Sequence, residues 1–261
     1  MKQNKYDEPD FFAKYSKMPR SVGGLESAGE WPAFRQLLPV LRDKRLLDLG
    51  CGFGWHCRYA REQGARFVVG VDLSERMLER AKANTNDAAI EYRRSAIEDI
   101  DFPDGYFDVV ISSLALHYVR DFDVVCQRMS HWLTMAGAFV FSVEHPVFTA
   151  VADQQWCQGP TGERLHWPVD NYQQERPRRT RWMDDDVVKY HRTMATYMNT
   201  VIDSGFRITK LLEPAPAAEI LVQRPEWKDE CRRPMFMLIA AVNAVRTLRD
   251  CRESPRPSHW L

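Results

Sequence analysis

Leu46-Leu47-Asp48-Leu49-Gly50-Cys51-Gly52-Phe53-Gly54 is the stretch from which the fold of this chain is read. Its apolar half reads as a buried strand, and three glycines in five positions leave the carboxyl end of that strand largely bare. Main chain without Cβ atoms can approach a ligand closely and adopt turns that other residues resist. A second apolar run, Phe67-Val68-Val69-Gly70-Val71, leads to Asp72, eighteen residues past Gly54. A glycine-rich turn after a first strand, with an acid about twenty residues on, is how an α/β sheet holds a nucleoside.

Working outward, residues 45–143 alternate strand and helix patterns, which implies parallel strands joined by crossover helices. The strands are expected at 45–49, 67–71, 90–94, 107–112 and 137–143, with two more at Phe206–Leu212 and Met235–Val242. Ser74 is placed to cap a helix carrying Met77, Leu78 and Ala81 at helical spacing. Asp121 is placed to cap another, with Phe122, Val125, Met129 and Trp132 on one face. Asp108 reads as a turn acid opening the fourth strand.

Five stretches are expected. Residues 1–43 form an N-terminal extension or cap, with little regular pattern before a short helix near Trp31–Leu38. Residues 44–145 form the core. Residues 146–185, rich in Trp, Pro, Gly and Arg without periodicity, read as a lid insertion over a substrate site. Residues 186–245 return to the core, with helical spacing from Val187 and Tyr190 through Met194, Tyr197 and Val201. Residues 246–261, charged and containing prolines, read as a fraying tail.

The composition narrows the function. The chain has 261 residues, 44% of them hydrophobic, with 36 basic and 36 acidic side chains and zero formal net charge. A protein that tracks phosphate backbones usually carries a basic excess, so a nucleic-acid partner is not expected. No apolar run of about 18 residues predicts a membrane span, and the first residues lack the apolar stretch of a secretory signal. The six cysteines are scattered without a Cys-x-x-Cys pair, which reads as reduced thiols in the cytoplasm, with no zinc site. The histidines are too widely spaced to suggest any metal. A homodimer is compatible with these features.

Three motifs in order carry a resemblance: Leu47 to Gly54, then Val71-Asp72-Leu73-Ser74, then Phe102-Pro103-Asp104-Gly105-Tyr106-Phe107-Asp108-Val109-Val110. With these the chain resembles the class I S-adenosylmethionine-dependent methyltransferases, and within them the small-molecule branch that includes ubiquinone and menaquinone biosynthesis. The resemblance covers residues 45–143, with 186–242 supplying the last helix and strands. It implies a doubly wound, mostly parallel, seven-stranded Rossmann-like sheet with an antiparallel last strand and a lid insertion. It also implies S-adenosyl-L-methionine as cofactor and a small-molecule acceptor. By the same resemblance, Gly50, Cys51, Gly52 and Gly54 line the methionine and ribose portion, with Asp48 holding the amino-acid part. Asp72 accepts hydrogen bonds from both ribose hydroxyls, a task suited to a carboxylate with two oxygens, and Leu73 flanks the adenine. Ser95, Ala96 and Ile97 match the segment near the adenine amino group, with Ser95 standing where the family often has an acid. Ser112, Ser113 and Leu114 close the floor, and His117 lies where family members approach donor or substrate.

The expected reaction is in-line displacement at the sulfonium methyl, for which positioning in a dry site matters most and a general base is optional. Candidate catalytic residues are His117 and His145, both after strands at the carboxyl edge of the sheet, and His191 in Tyr190-His191-Arg192. Each reads equally as a hydrogen-bonded structural histidine. Trp156, Trp167, Tyr172 and Trp182 either wall an acceptor or fasten the lid to the core. Arg176, Arg178, Arg179 and Arg181 form either an anion-binding cluster or a solvated face.

Two enzyme alternatives and one without turnover stand beside this reading. An NAD(P)-dependent oxidoreductase needs Gly-x-Gly-x-x-Gly, whereas Gly54 here completes Gly-x-Gly-x-Gly and Trp55 follows. A DNA amino-methyltransferase needs an Asp/Asn-Pro-Pro-aromatic motif where this chain has Ser112-Ser113-Leu114-Ala115, and no Pro-Cys pair occurs for the covalent RNA type. A catalytically inactive cofactor-binding protein is compatible with every motif above.

Overall fold

The computed structural model describes residues 2–216 and 218–244. Strand β1 (Arg45–Leu49) runs parallel to β2 (Phe67–Asp72) and to β4 (Phe107–Ser113), so that Leu47 stands beside both Val69 and Val110. Strand β3 (Ile90–Arg94) extends one edge parallel to β2, and β5 (Leu133–Glu144) extends the other parallel to β4. Beyond β5 lie β11 (Phe236–Asn243), antiparallel to it, and then β10 (Phe206–Leu212), giving the order β10-β11-β5-β4-β1-β2-β3. The chain winds one way from β1 to β3 and the other way from β4 onward, so the direction reverses between β1 and β4. A crevice forms at that point, at the carboxyl ends of the strands.

The alternation of side chains along β1 shows why its sequence is almost wholly apolar. Leu47 and Leu49 join one buried cluster with Val110, Met129, Phe139 and Phe141, while Leu46 joins the other with Cys57, Ala60 and Val68. A parallel sheet covered on both faces demands apolar residues at successive positions. Each fully buried Leu, Val or Phe contributes roughly 1.5–3 kcal/mol. Asp48 is the buried exception in β1, whose other polar residue, Arg45, is only half-buried at its start, and it shares the face of Leu46.

Covering helices α4 (Trp55–Glu62), α5 (Glu75–Ala83), α6 (Phe122–Trp132) and α8 (Met194–Asp203) supply the remaining layers. Ser74 caps α5 as expected, its Oγ accepting the Met77 N–H at 3.1 Å. Asp121 occupies the cap position of α6 but makes no capping hydrogen bond with its side chain. No loop separates α6 from β5, which begins at Leu133, four residues before the expected start.

Two regions are more regular than the sequence suggests. Residues 1–43 contain helices α1 (Pro9–Tyr15), α2 (Pro19–Gly23) and α3 (Trp31–Leu37), each with proline in its first turn, where the missing N–H costs nothing. The insertion holds a short helix α7 (Pro146–Thr149), a small ribbon of β6 (Cys157–Gln158) with β7 (Arg164–His166), and a hairpin of β8 (Pro177–Trp182) with β9 (Asp185–Tyr190). Val187 and Tyr190 therefore lie on β9 and not on the late helix, which begins at Met194. The hairpin runs through the expected boundary at 185. Alternation explains the misreading, because Val187 and Lys189 are both buried on one face of β9. Among the described residues no helix is long and apolar enough to cross a membrane. The expected tail at 246–261 lies outside the described residues.

Candidate active site

Gly50, Gly52 and Gly54 all have positive φ, at +80°, +52° and +71°. A Cβ on Gly50 would stand 2.3 Å from the Ala115 Cβ, and one on Gly54 would stand 2.2 Å from the Tyr92 hydroxyl. These two glycines let the turn press against β4 and β3. Gly52 differs, since a Cβ there would meet nothing within 4 Å. The turn is held from below by the Val71 carbonyl, which accepts the Gly50 and Cys51 N–H groups at 2.8 and 3.0 Å.

Asp72, at the end of β2, accepts the Gly52 N–H at 2.9 Å through one oxygen and the Ser74 N–H at 2.9 Å through the other. Burial raises its pKa, and these backbone donors partly offset that. Each oxygen keeps acceptor capacity for another donor. Asp48 lies elsewhere. It is fully buried beneath the turn, with one oxygen accepting the Cys57 thiol at 3.3 Å and the other without a partner. Burial pushes its carboxyl up to about 7. Leu73 turns its carbonyl toward Asn4 and Arg94. The Ser95 N–H donates to the Asp72 carbonyl and its hydroxyl to the Ala96 carbonyl, while Ala96 and Ile97 are buried. Ser112 donates to the Leu49 carbonyl at 2.7 Å and ties β4 to β1 at the crevice. Leu114 has φ +52°, and its N–H donates to Ser142.

The three histidines separate. His145 accepts the Val147 N–H at Nδ1 (3.0 Å), so its Nε2–H donates to Glu213 at 2.6 Å. Both nitrogens are spent on capping α7 and joining it to the residue after β10. His191, in the connection between β9 and α8, is bonded to the Thr149 hydroxyl at 2.8 Å and the Tyr172 carbonyl at 2.9 Å. All four of these ring nitrogens are engaged by the protein's own groups. His117 is also buried, and its Nδ1 accepts the Glu144 N–H at 3.4 Å. Burial pushes its pKa down to about 4. The ring is neutral near pH 7, with its proton on Nε2.

The aromatics of the insertion divide in the same way. Phe148 and Trp167 stack at 5.1 Å, and the buried Arg233 guanidinium lies 4.3 Å from the Trp167 ring. Trp182 instead packs on Tyr6, Phe11 and Tyr15 from the N-terminal segment. The arginines do not form one cluster, because Arg178 is buried on carbonyls of Ala150, Asn171 and Gln174, while Arg179 and Arg181 are exposed.

Sequence reasoning named no site residue in the N-terminal segment. The crevice is bordered by the glycine turn and Ser113 on one side and by Tyr15, Arg20, Gly24 and Leu25 on the other. Arg20 is paired with the buried Glu30 at 2.5 Å. The available signal was Pro9 followed by Phe11 and Tyr15, an apolar pair one turn apart. Behind the crevice, Lys189 of β9 is buried against Glu144 at 2.6 Å, with Gln154 bonded to both.

Residues 47–141 match the model of a methyltransferase domain family. An S-adenosylmethionine-dependent methyltransferase structure from Mesorhizobium loti is 45% identical, with TM-score 0.79, over 84% of this chain and 100% of that one. Its counterpart from Listeria monocytogenes is 50% identical, with TM-score 0.80, over 84% of this chain and 99% of that one. A ubiquinone biosynthesis O-methyltransferase of Bradyrhizobium diazoefficiens is 37% identical over 40% of this chain and 42% of its own length. The glycine turn, the acid ending β2 and the strand order are thus those of a methyl-transfer scaffold, and this chain belongs to the class I S-adenosylmethionine-dependent methyltransferases.

Proposed function

We propose that this methyltransferase serves a small-molecule acceptor in the cytosol, of the kind handled by quinone-biosynthesis enzymes. One observation carries the reading. Gly52 presents bare main chain to open space while its N–H holds Asp72, and the crevice beside it is roofed by Tyr15, Arg20 and Leu25. The chain has no net positive charge to attract a nucleic acid, which supports a small acceptor. The free state of all five described cysteines supports a reducing compartment.

The residues fit the donor. Gly50, Cys51, Gly52 and Gly54 line the methionyl side, and a Cβ at Gly52 would occupy the crevice. Asp72 has one lone pair on each oxygen suited to vicinal ribose hydroxyls, with Leu73, Ser95, Ala96 and Ile97 beside the adenine. Arg20, which borders the crevice, meets the donor's carboxylate. Asp48 acts from beneath, supporting the turn through Cys57. Ser112, Ser113 and Leu114 form the floor.

When bound, the donor supplies a methyl group on a positively charged sulfur. The chain's task is to align the acceptor and keep water out. His117 donates a hydrogen bond from Nε2 to the acceptor or to the donor's polar end. It does not take a proton there, because moving the ring proton to Nδ1 would set it against the Glu144 N–H. The acceptor then needs a nucleophile acidic enough to react without a strong base.

Incubating the enzyme and labelled donor with a size-fractionated cell extract tests the reading. Label is expected in material below about 1 kDa. Incorporation confined to protein or nucleic acid would overturn it.

A further inference from the structure

The N-terminal segment crosses the carboxyl end of β2, where Asp7 is its anchor. One Asp7 oxygen accepts the Ser74 hydroxyl at 2.5 Å and the Arg76 N–H at 3.1 Å. The other accepts Asn4 at 2.7 Å, the Glu75 N–H at 3.3 Å and Arg94 at 3.5 Å. Ser74 already caps α5 from within, so the helix does not need an acid from outside to begin. What Asp7 adds is a fixed position for Ser74, whose own N–H donates to Asp72. A single serine therefore bridges two acids sixty-five positions apart in sequence.

The same segment grips the β8–β9 hairpin. Gln3 accepts the Val188 N–H at 2.7 Å, Lys5 pairs with Asp185 at 3.0 Å and Lys14 with Asp184 at 3.0 Å, and Tyr6 meets Trp182 edge-on. Seating of the segment on the β8–β9 hairpin and the position of Ser74 are thus mechanically joined.

We propose that Asp7 is a positioning residue for the donor, fixing Ser74 and through it the Asp72 carboxylate, so that docking of the N-terminal segment sets the grip on the ribose. This rests on the reading that Asp72 receives the ribose hydroxyls. The negative charge of Asp7 works in the same direction. Burial chiefly, and Asp7 in addition, raise the proton affinity of Asp72, and a more basic carboxylate is a better acceptor of hydroxyl hydrogen bonds.

The test uses full-length Asp7→Asn, Asp72→Asn and the double variant, titrated calorimetrically with S-adenosylhomocysteine and with its 2′,3′-dideoxyribose analogue. Melting curves verify the fold, and Asp7→Ser replaces Asp7→Asn if the latter is unfolded. Asp7→Asn is expected to weaken S-adenosylhomocysteine binding about three- to tenfold, the dideoxy analogue less than twofold, and binding to Asp72→Asn by less than a further twofold. Equal weakening of both ligands marks Asp7 as a general fold anchor and overturns the proposal, as does unchanged affinity in Asp7→Asn while Asp72→Asn binds poorly. Unchanged affinity in Asp72→Asn sinks the ribose reading itself, and this proposal with it.

Discussion

Gly52 donates its backbone N–H to the Asp72 carboxylate at 2.9 Å, across twenty positions of sequence. The contact follows from register, since β1 and β2 run parallel with Leu49 beside Val71, and the next residues of each strand turn toward one another. The carboxylate is therefore oriented before any ligand arrives, and less ordering is lost on binding.

Asp72→Asn keeps an oxygen for Gly52 but loses the charge. We expect S-adenosylhomocysteine to bind about 1–3 kcal/mol more weakly, with a melting temperature within a few degrees of wild type. Isothermal calorimetry reads the first and a melting curve the second. An Asp72→Asn protein that binds normally removes this residue from the donor site.

The glycines predict two different failures. At Gly54 an added Cβ strikes the Tyr92 hydroxyl, which is bonded to Thr85 at 2.9 Å, and φ is +71°. Gly54→Ala should lose about 1–3 kcal/mol of stability. Gly52→Ala meets no neighbour, so its fold should suffer only the roughly 1 kcal/mol cost of a left-handed residue. Its donor affinity should fall much further than its stability. Similar stability losses in both variants would contradict the assignment of Gly52 to the ligand side.

His117 sets a limit on magnitude. A hydrogen-bond donor contributes about 0.5–1.5 kcal/mol, whereas a general base contributes 10²–10⁴-fold in rate. His117→Ala should therefore slow methyl transfer by about tenfold or less, and His117→Gln, which retains an N–H donor, should recover part of that. Because burial holds the ring near a pKa of about 4, the rate profile between pH 6 and 9 should show no inflection that disappears in His117→Gln. A thousandfold loss would restore His117 as a base.

Asp48 links pH to stability. An aspartate in the unfolded chain loses its proton near 3.9, while the folded chain holds that proton to about 7. Between those values the native state binds more protons, so rising pH removes stability, at most about 1.4 kcal/mol per pH unit, and above about 7 the loss is complete. Asp48→Asn removes this dependence. Its melting temperature should gain on wild type from pH 4.5 to pH 7 and keep a constant lead above that. A lead that does not vary with pH would mean that the carboxyl is already charged throughout.

The core was legible because its signals are local and strong. Leu46 to Gly54 carries strand, turn and ligand-facing backbone in nine consecutive residues, and Ser74 announces its own helix. Val187 and Tyr190 misled because positions three apart share a helix face, whereas on β9 they point to opposite faces and Val187 is buried with Lys189; the pairing of Thr180 with Val187 is what decides. His145, His191 and His117 are indistinguishable as letters. What separates them is which groups meet the ring nitrogens, Glu213 and Val147 for His145, Thr149 and Tyr172 for His191, and the Glu144 N–H for His117, and most of those partners are drawn from distant parts of the chain. Tyr15 and Arg20 were missed for the same reason, since Tyr15 is placed by packing on Phe53 and Trp182 and Arg20 by pairing with Glu30.

From the amino-acid order alone came the parallel sheet, the glycine turn and the acid ending β2, because apolar periodicity and bare backbone are properties of adjacent residues. Which groups meet each histidine's nitrogens, and which distant segment roofs the crevice, was decided only by tertiary structure, because hydrogen bonds and burial depend on neighbours that the fold alone brings together.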